Sequence, residues 1–477
     1  MKNFKYIWII GLGVTLAILI VPIAIFVRGE TASEDDPWEN VPIRQPHTDH
    51  TVLFEGPFET GSDVTLACLE CHEDAAFEIM ETVHWTWESE PYDIEGRDGP
   101  VTVGKKNSLN NFCIGIQSNW PGCTSCHAGY GWVDADYDFT ISENVDCLVC
   151  HDGTGTYVKD YGGYPVEGVD LLASAQSVGV PTRDNCGYCH FTGGGGNAVK
   201  HGDLDEHLYN PSENVDVHMG GQGFLCIDCH QTEDHEIRGR SMSVSLDQEN
   251  QALCTDCHIE NLHDDERINS HTDAVACQTC HIPAGAVRDA TKMSWDWSTA
   301  GQDIGDDPHS YLKIKGSFVY EYDFIPEYYW LSGIKDRYLL GDVIDPDETT
   351  ILNPPDGDIS DPEALIFPFK VHRAKQPYDV VNNYLLQPKT VGEGGYWAEF
   401  DWDKSLQLGS EVVGLDFSGE YDFAETEMYW PLSHLVAPTQ FALQCMDCHG
   451  EGGRMDWDAL GYNGDPIVWG GRVVPTN

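Results

Sequence analysis

Residues 123–151 read CTSCHAGYGWVDADYDFTISENVDCLVCH, two cysteine pairs, each spaced by two residues and followed at once by a histidine. Two thiols three positions apart can both form thioethers to one porphyrin, and the next residue then presents its imidazole to the iron. Zinc sites also use paired cysteines, but they need two such halves or a histidine pair at matched spacing, not a histidine after every second cysteine.

The pattern continues on both sides. Sixteen of the 17 cysteines fall into eight C-x-x-C-H motifs. They are Cys68, Cys71 and His72; Cys123, Cys126 and His127; Cys147, Cys150 and His151; Cys186, Cys189 and His190. The others are Cys226, Cys229 and His230; Cys254, Cys257 and His258; Cys277, Cys280 and His281; Cys445, Cys448 and His449. Eight copies predict eight covalently bound haem c groups. Buried porphyrin then replaces much of the apolar side-chain core, and few long amphipathic helices are required.

Seven motifs start between residues 68 and 277 at intervals of 23 to 55, which leaves room for short helices and loops around stacked haems. From 301 to 430 no motif occurs, and stretches such as SFVYEYDFIPEYYWLSG and EVVGLDFSGEYDF read as short strands separated by turns. The expected fold is a multihaem cytochrome c of short helices and loops, with a β-rich, haem-free segment near the C-terminus and one N-terminal transmembrane helix. The expected boundaries are 1–29 for a membrane anchor or signal, 30–49 for an acidic linker, 50–300 for the seven-motif haem domain, 301–430 for the β-rich segment, and 431–477 for the eighth motif and tail. GEGGRMDWDALGYNGD in that tail reads as surface loop.

Residues 6–27 are 22 uncharged, mostly apolar residues, long enough to span a bilayer. Lys2 and Lys5 before them place the N-terminus inside and the haem region outside, on the periplasmic or outer face of the cytoplasmic membrane. The run exceeds the apolar core of a cleaved signal peptide, which favours an uncleaved anchor. A formal charge of −53 excludes nucleic acid as a natural partner and suits either basic regions of redox proteins or a solvated surface in a saline habitat.

Twelve histidines lie outside the motifs and compete for the far sides of the irons. His50, His84, His218, His235, His263, His271, His372 and His434 are the expected distal ligands, from their proximity to motifs or their aromatic and turn contexts. His47, His207 and His309 read as loop residues, and His201 fits either group. Lys200 follows four glycines, which let a backbone pass close to a porphyrin face. It is either a solvated loop cation or a neutral amine held against iron, and desolvation beside a ferric centre pushes a lysine toward the second state. Cys113, outside every motif, is either a small buried side chain or a reactive thiol beside a haem pocket.

Several longer stretches resemble the octahaem c-type cytochromes of the tetrathionate reductase type: KKNSLNNFCIGIQSNWPGCTSCHAGYGW, NVDCLVCHDGTGTY, CGYCHFTGGGGNAVKHGDLD, HTDAVACQTCHIP and TKMSWDWSTAG, with FKVHRAKQPYD and PLSHLVAPTQFALQCMDCH nearer the end. The resemblance implies seven bis-histidine haems and one active-site haem, on His127, whose far side carries the nitrogen of Lys200. It carries Asn110, Cys113 and Lys292 over to the pocket, and it implies reduction of tetrathionate, with nitrite and hydroxylamine as further substrates. Asn197 departs from the family pattern, which has an aspartate three residues before the lysine, so the site loses a carboxylate. The implied partners are a small anionic substrate and a cytochrome or membrane quinol dehydrogenase that delivers electrons. The competing reading is a non-catalytic electron conduit in which Lys200 is a permanent cap.

Overall fold

A computed structural model describes residues 36–44, 46–113, 115–239, 250–258, 263–334 and 336–472. The expected anchor at 6–27 lies outside them; among the described residues no helix is long and apolar enough to cross a membrane. The chain divides into two compact units, 253–269 with the described residues before 45, and 45–252 with 270–477.

The smaller unit holds the sixth motif. Cys254–Asp256 is a single turn closed by Leu253 N–H on Asp256 Oδ2 at 2.8 Å, and His263 Nδ1 lies 3.1 Å from Asn269 Oδ1.

In the larger unit the haem-motif region is built from short helical turns. The first motif begins at the end of α1 (Gly61–Leu69), α2 (Arg183–His190) contains the whole fourth motif, and Cys226–Cys229, Cys277–His281 and Cys445–Cys448 are single helical turns. α1 begins with a capping box in which Thr60 and Asp63 exchange hydrogen bonds.

The haem-free segment forms a seven-stranded sheet. Its strands are β1 (Thr291–Asp296), β2 (Tyr311–Leu312), β3 (Gly316–Glu321), β4 (Glu327–Leu331), β5 (Thr350–Ile351), β6 (Leu365–Asp379) and β7 (Tyr421–Pro431). The order is β2-β3-β1-β6-β7-β5, with β4 also on β6. β6 and β7 pair antiparallel from Phe369 opposite Pro431 to Asp379 opposite Tyr421, and β1 joins β6 in parallel, with Arg373 opposite Ser294. Ile366, Phe369, Val371 and Ala374 on β6, with Met428 and Trp430 on β7, are buried, because the sheet is covered on both faces.

Three details differ from the sequence reading. The first strand begins at Thr291, ahead of the expected boundary at 301. The segment also holds the longest described helix, α3 (Trp402–Val413), started by Asp401 accepting from Lys404 N–H and stopped by Gly414 at φ 72°. The tail is not merely surface: Met455 and Leu460 are buried against Tyr328 and Trp330, and Trp330 Nε1 donates to Leu460 O at 2.9 Å. The glycines and charges of that tail masked two apolar anchors.

Candidate functional site

Several motif histidines stand opposite a histidine from elsewhere in the chain. Ring centroids are 6.4 Å apart for His50 and His72, 6.3 Å for His84 and His190, and 6.4 Å for His151 and His235. They are 6.2 Å apart for His230 and His434 and 6.4 Å for His271 and His449. Imidazole nitrogens bind metals at about 2.0–2.1 Å and the ring centroid lies about 1.1 Å behind, so two imidazoles sharing one metal stand about 6.3 Å apart. The spacing therefore fits one iron in each gap.

The hydrogen bonds agree with that fit. His151 Nδ1 lies 2.8 Å from Gly179 O, His230 Nδ1 2.7 Å from Arg238 O, and His449 Nδ1 2.6 Å from Asp465. On the opposing side His50 Nδ1 lies 2.8 Å from Thr48 O, His235 Nδ1 2.6 Å from Glu78, and His434 Nδ1 3.0 Å from Asp203. Fixing Nδ1 leaves Nε2 for a metal and sets the ring's orientation. Burial also keeps His84 neutral, pushing it down to about 4, as ligation requires.

The attachment cysteines are neighbours across motifs. The thiols of Cys68 and Cys147, of Cys126 and Cys189, and of Cys186 and Cys226 lie close enough to shift one another's acidity, and Cys189 Sγ lies 3.7 Å from Cys126 O. The first motif thus adjoins the third, the second adjoins the fourth, and the fourth adjoins the fifth.

The second motif has different surroundings. His127 is fully buried in a cage of Trp85, Trp87, Trp132, Tyr137 and Phe139, with Nε2 2.7 Å from Trp85 O, and burial pushes it down to about 3. To hold iron at Nε2 this ring gives up the Trp85 carbonyl. Toward its cysteines runs the glycine loop. A Cβ on Gly193 would stand 4.0 Å from Cys126 Sγ, one on Gly194 2.5 Å from the Phe112 ring, and one on Gly195 4.0 Å from Cys113 Sγ. Gly194, Gly195 and Gly196 all have positive φ, so the loop uses the freedom that only glycine has.

That loop delivers Lys200 to a largely apolar wall, its Nζ 5.3 Å from the centre of the Trp430 ring. Burial, and next the charge of Lys105, push Lys200 down to about 7, opposed by the thiol of Cys126. Lys292 is also buried; its Nζ donates to Phe112 O at 2.6 Å and lies 4.1 Å from the centre of the Trp295 ring. Burial pushes it down to about 7 as well, with Cys113 opposing. A bulge between Lys292 and Ser294 in β1 aims this lysine inward.

Lys200 lies against Trp430 and Lys292 on Phe112 O, the two rings being 5.3 Å apart, and Cys113 lies beside Gly195 of the glycine loop. Asn110 is there too, but its Oδ1 accepts from Cys113 N–H at 2.8 Å and its backbone oxygen accepts from Gln376 at 2.8 Å, so it shapes the Cys113 turn. Asn197 points elsewhere: its Nδ2 donates to Asp289 at 2.5 Å and its Oδ1 accepts from Glu206 N–H at 2.9 Å, which staples the loop. The amide can do both, as the aspartate of the family pattern cannot.

The remaining expected ligands are less uniform. His218 lies in the turn Val217–Gly221, its ring 5.8 Å from Phe224. His372 is fully buried in the sheet, and among the described residues neither ring nitrogen has a hydrogen-bond partner. His201 packs its ring 5.0 Å from Trp430. Sequence reasoning missed Lys105 and Arg337, whose charges both reach Lys200. Lys105 sits inside a quoted family stretch, whereas Arg337 carries no local signal.

Histidine pairs spaced for iron, each joined to a C-x-x-C-H motif, define a multihaem c-type cytochrome. Comparison with known proteins narrows this. The family described as "Cytochrome c bacterial" matches residues 292–452. An uncharacterized protein from Archaeoglobus fulgidus is 25% identical over 250 residues, which cover 41% of this chain and 82% of that protein. The crystal structure of octaheme cytochrome c from Shewanella oneidensis superposes with a TM-score of 0.83 at 49% identity, covering 88% of this chain and 98% of that one. The chain belongs to the octahaem cytochromes c, and it carries eight covalently bound haem c groups.

Proposed function

We propose that this octahaem cytochrome is a reductase whose working haem is the one on the second motif. The observation that carries the reading is that two lysines flank one ring pair beside the glycine loop, Lys200 against Trp430 and Lys292 on Phe112 O, with those rings 5.3 Å apart, in a chain of formal charge −53. The sixteen motif cysteines would hold the haems and the eight motif histidines would be the proximal ligands. His50, His84, His235, His434 and His271 would be distal ligands to the haems of the first, fourth, third, fifth and eighth motifs. His218 and His263 are the candidates for the sixth and seventh, and Lys200 for the second.

When bound, the haems supply single electrons and, at one iron, a coordination position. The protein's own groups do the rest. Lys200, drawn close to neutrality, can act as a ligand when unprotonated and as a proton donor when protonated. Lys292 in its charged form holds a small anion by charge and hydrogen bonding, inside a site where desolvation strengthens both. Phe112 and Trp430 keep bulk water away from the amine. The family resemblance points to tetrathionate, with nitrite and hydroxylamine as further substrates.

Electrons would arrive through the adjoining motifs, first to third, then to the fourth, whose helix donates from Asn185 Nδ2 to Asp152 O beside His151 at 3.1 Å, and on to the second. Their source would be a cytochrome or a membrane quinol dehydrogenase. Haem c is attached on the extracytoplasmic side, and residues 6–27 would anchor the protein there. The second reading is a conduit without a substrate, in which Lys200 is a permanent cap.

Steady-state turnover with a low-potential artificial donor tests the choice. Wild type is expected to reduce at least one of the three substrates, and Lys292→Met to raise KM for an anionic one. Donor oxidation that is indifferent to all three would favour the conduit.

A further inference from the structure

Thr291 and Lys370 come from neighbouring strands, β1 and β6, and both reach the same four residues of the lysine loop. Thr291 Oγ1 lies 2.6 Å from Ala198 O and 2.8 Å from His201 O. Lys370 is fully buried, and its Nζ donates to Val199 O at 3.0 Å, Lys200 O at 3.1 Å and Thr291 Oγ1 at 2.6 Å. Four consecutive carbonyls, 198 to 201, thus lie within reach of two side chains, the single hydroxyl hydrogen of Thr291 being shared between Ala198 O and His201 O. Three acceptors match the three N–H donors of a lysine ammonium, and the threonine oxygen accepts from Lys370 while its own hydrogen serves the loop.

The segment needs such support. It is not regular secondary structure, Ala198 is held at φ 58°, and carbonyls buried there without donors would destabilise the fold. The β1 and β6 strands that supply the clamp are paired with each other, with Arg373 opposite Ser294, so both donors move as one body.

We infer that Thr291 and Lys370 are positioning residues that fix the backbone of Lys200 to the sheet, so that its amine leaves and returns by side-chain rotation, with the loop stationary. The inference rests on the reading of Lys200 as the far-side ligand of the second haem. It assigns the sheet a part in the site: it is the rigid frame against which the lysine is set.

The test uses the haem-loaded full chain and near-infrared magnetic circular dichroism, which separates amine–imidazole from imidazole–imidazole haems. Thr291→Val removes the hydroxyl at nearly constant shape, Thr291→Ser restores it, and Lys370→Met removes the second arm. The ratio of bound to released lysine is expected to fall by about tenfold in Thr291→Val and Lys370→Met, the effect of losing one or two hydrogen bonds. Thr291→Ser is expected to keep the wild-type signal, and the bis-imidazole bands to stay constant in all variants. An unchanged amine–imidazole signal in Thr291→Val and Lys370→Met overturns the clamp. Lys200→Ala separates the two ideas: if it leaves the spectrum unchanged, the ligand reading itself fails, whatever the clamp variants do.

Discussion

Lys200 and Lys292 have similar acidities for the same reason, burial, yet the proposed roles need opposite protonation states. Lys200 must be neutral to bind iron, whereas Lys292 must be charged to hold an anion. A lysine pushed down to about 7 is a cation below that pH and a neutral amine above it. Anion affinity is therefore expected to weaken as pH rises through about 7, seen as a rising KM, and Lys292→Met is expected to show a high KM with that pH dependence abolished. A KM that stays flat across pH 6 to 8 in wild type would remove Lys292 from the substrate. At this scale the sequence was informative where chemistry is tied to a motif. The motif histidines are legible from spacing alone, and His50, His84, His235, His271 and His434, expected as distal ligands, each face one of them, but the sequence does not say who faces whom. His84 comes from before the second motif and faces the fourth; His434 comes from beside the eighth and faces the fifth. Such crossings are set by the fold, and spacing carries no trace of them. Asn197 was legible as a departure but not as a staple, because its partners Asp289 and Glu206 are joined to it only by the folded loop.

Among the elements, the glycine loop and the sheet bear most on the site. Gly194 has φ 90°, and an added Cβ would stand 2.5 Å from the Phe112 ring. Gly194→Ala is expected to cost about 1–3 kcal/mol of local strain and to lower the share of lysine-ligated haem in the near-infrared spectrum; an unchanged spectrum would show that the loop tolerates the methyl group. On the other side of the pocket Asn111 is fully buried, and its Nδ2 donates to His372 O at 2.7 Å. This bond ties the turn before Cys113 to β6. Asn111→Ala leaves that carbonyl without its donor, and a loss of about 1–3 kcal/mol is expected, read as a lower midpoint in denaturant titration of the haem-loaded protein. The β-branched and aromatic composition announced the sheet, but not its reach. β1 was hidden because its six residues directly follow the haem-rich region, where local periodicity is weak. The helix α3 was missed because Trp402–Val413 sits among strand-like neighbours.

For the whole molecule, the charge of −53 and the run of adjoining motifs belong together. A strongly negative surface steers basic partners and is screened by salt, with a Debye length of about 10 Å at 0.1 M. Electron exchange with a basic cytochrome is expected to slow as ionic strength rises from 0.05 to 0.5 M, while exchange with an uncharged donor stays nearly constant; equal salt response for both would argue against electrostatic docking. Inside the molecule, the proposed electron path ends where cations replace carboxylates, at Lys200, Lys292, Lys105 and Arg337. The most direct measurement is stopped-flow reoxidation of the fully reduced protein by tetrathionate, nitrite and hydroxylamine in turn, in wild type and Lys200→Ala. The account predicts rapid oxidation of all eight haems by at least one of the three, with a rate that changes sharply in the variant. Reoxidation by none of them, alongside fast exchange with a soluble cytochrome, would contradict it and leave Lys200 as the cap of one more haem in a wire.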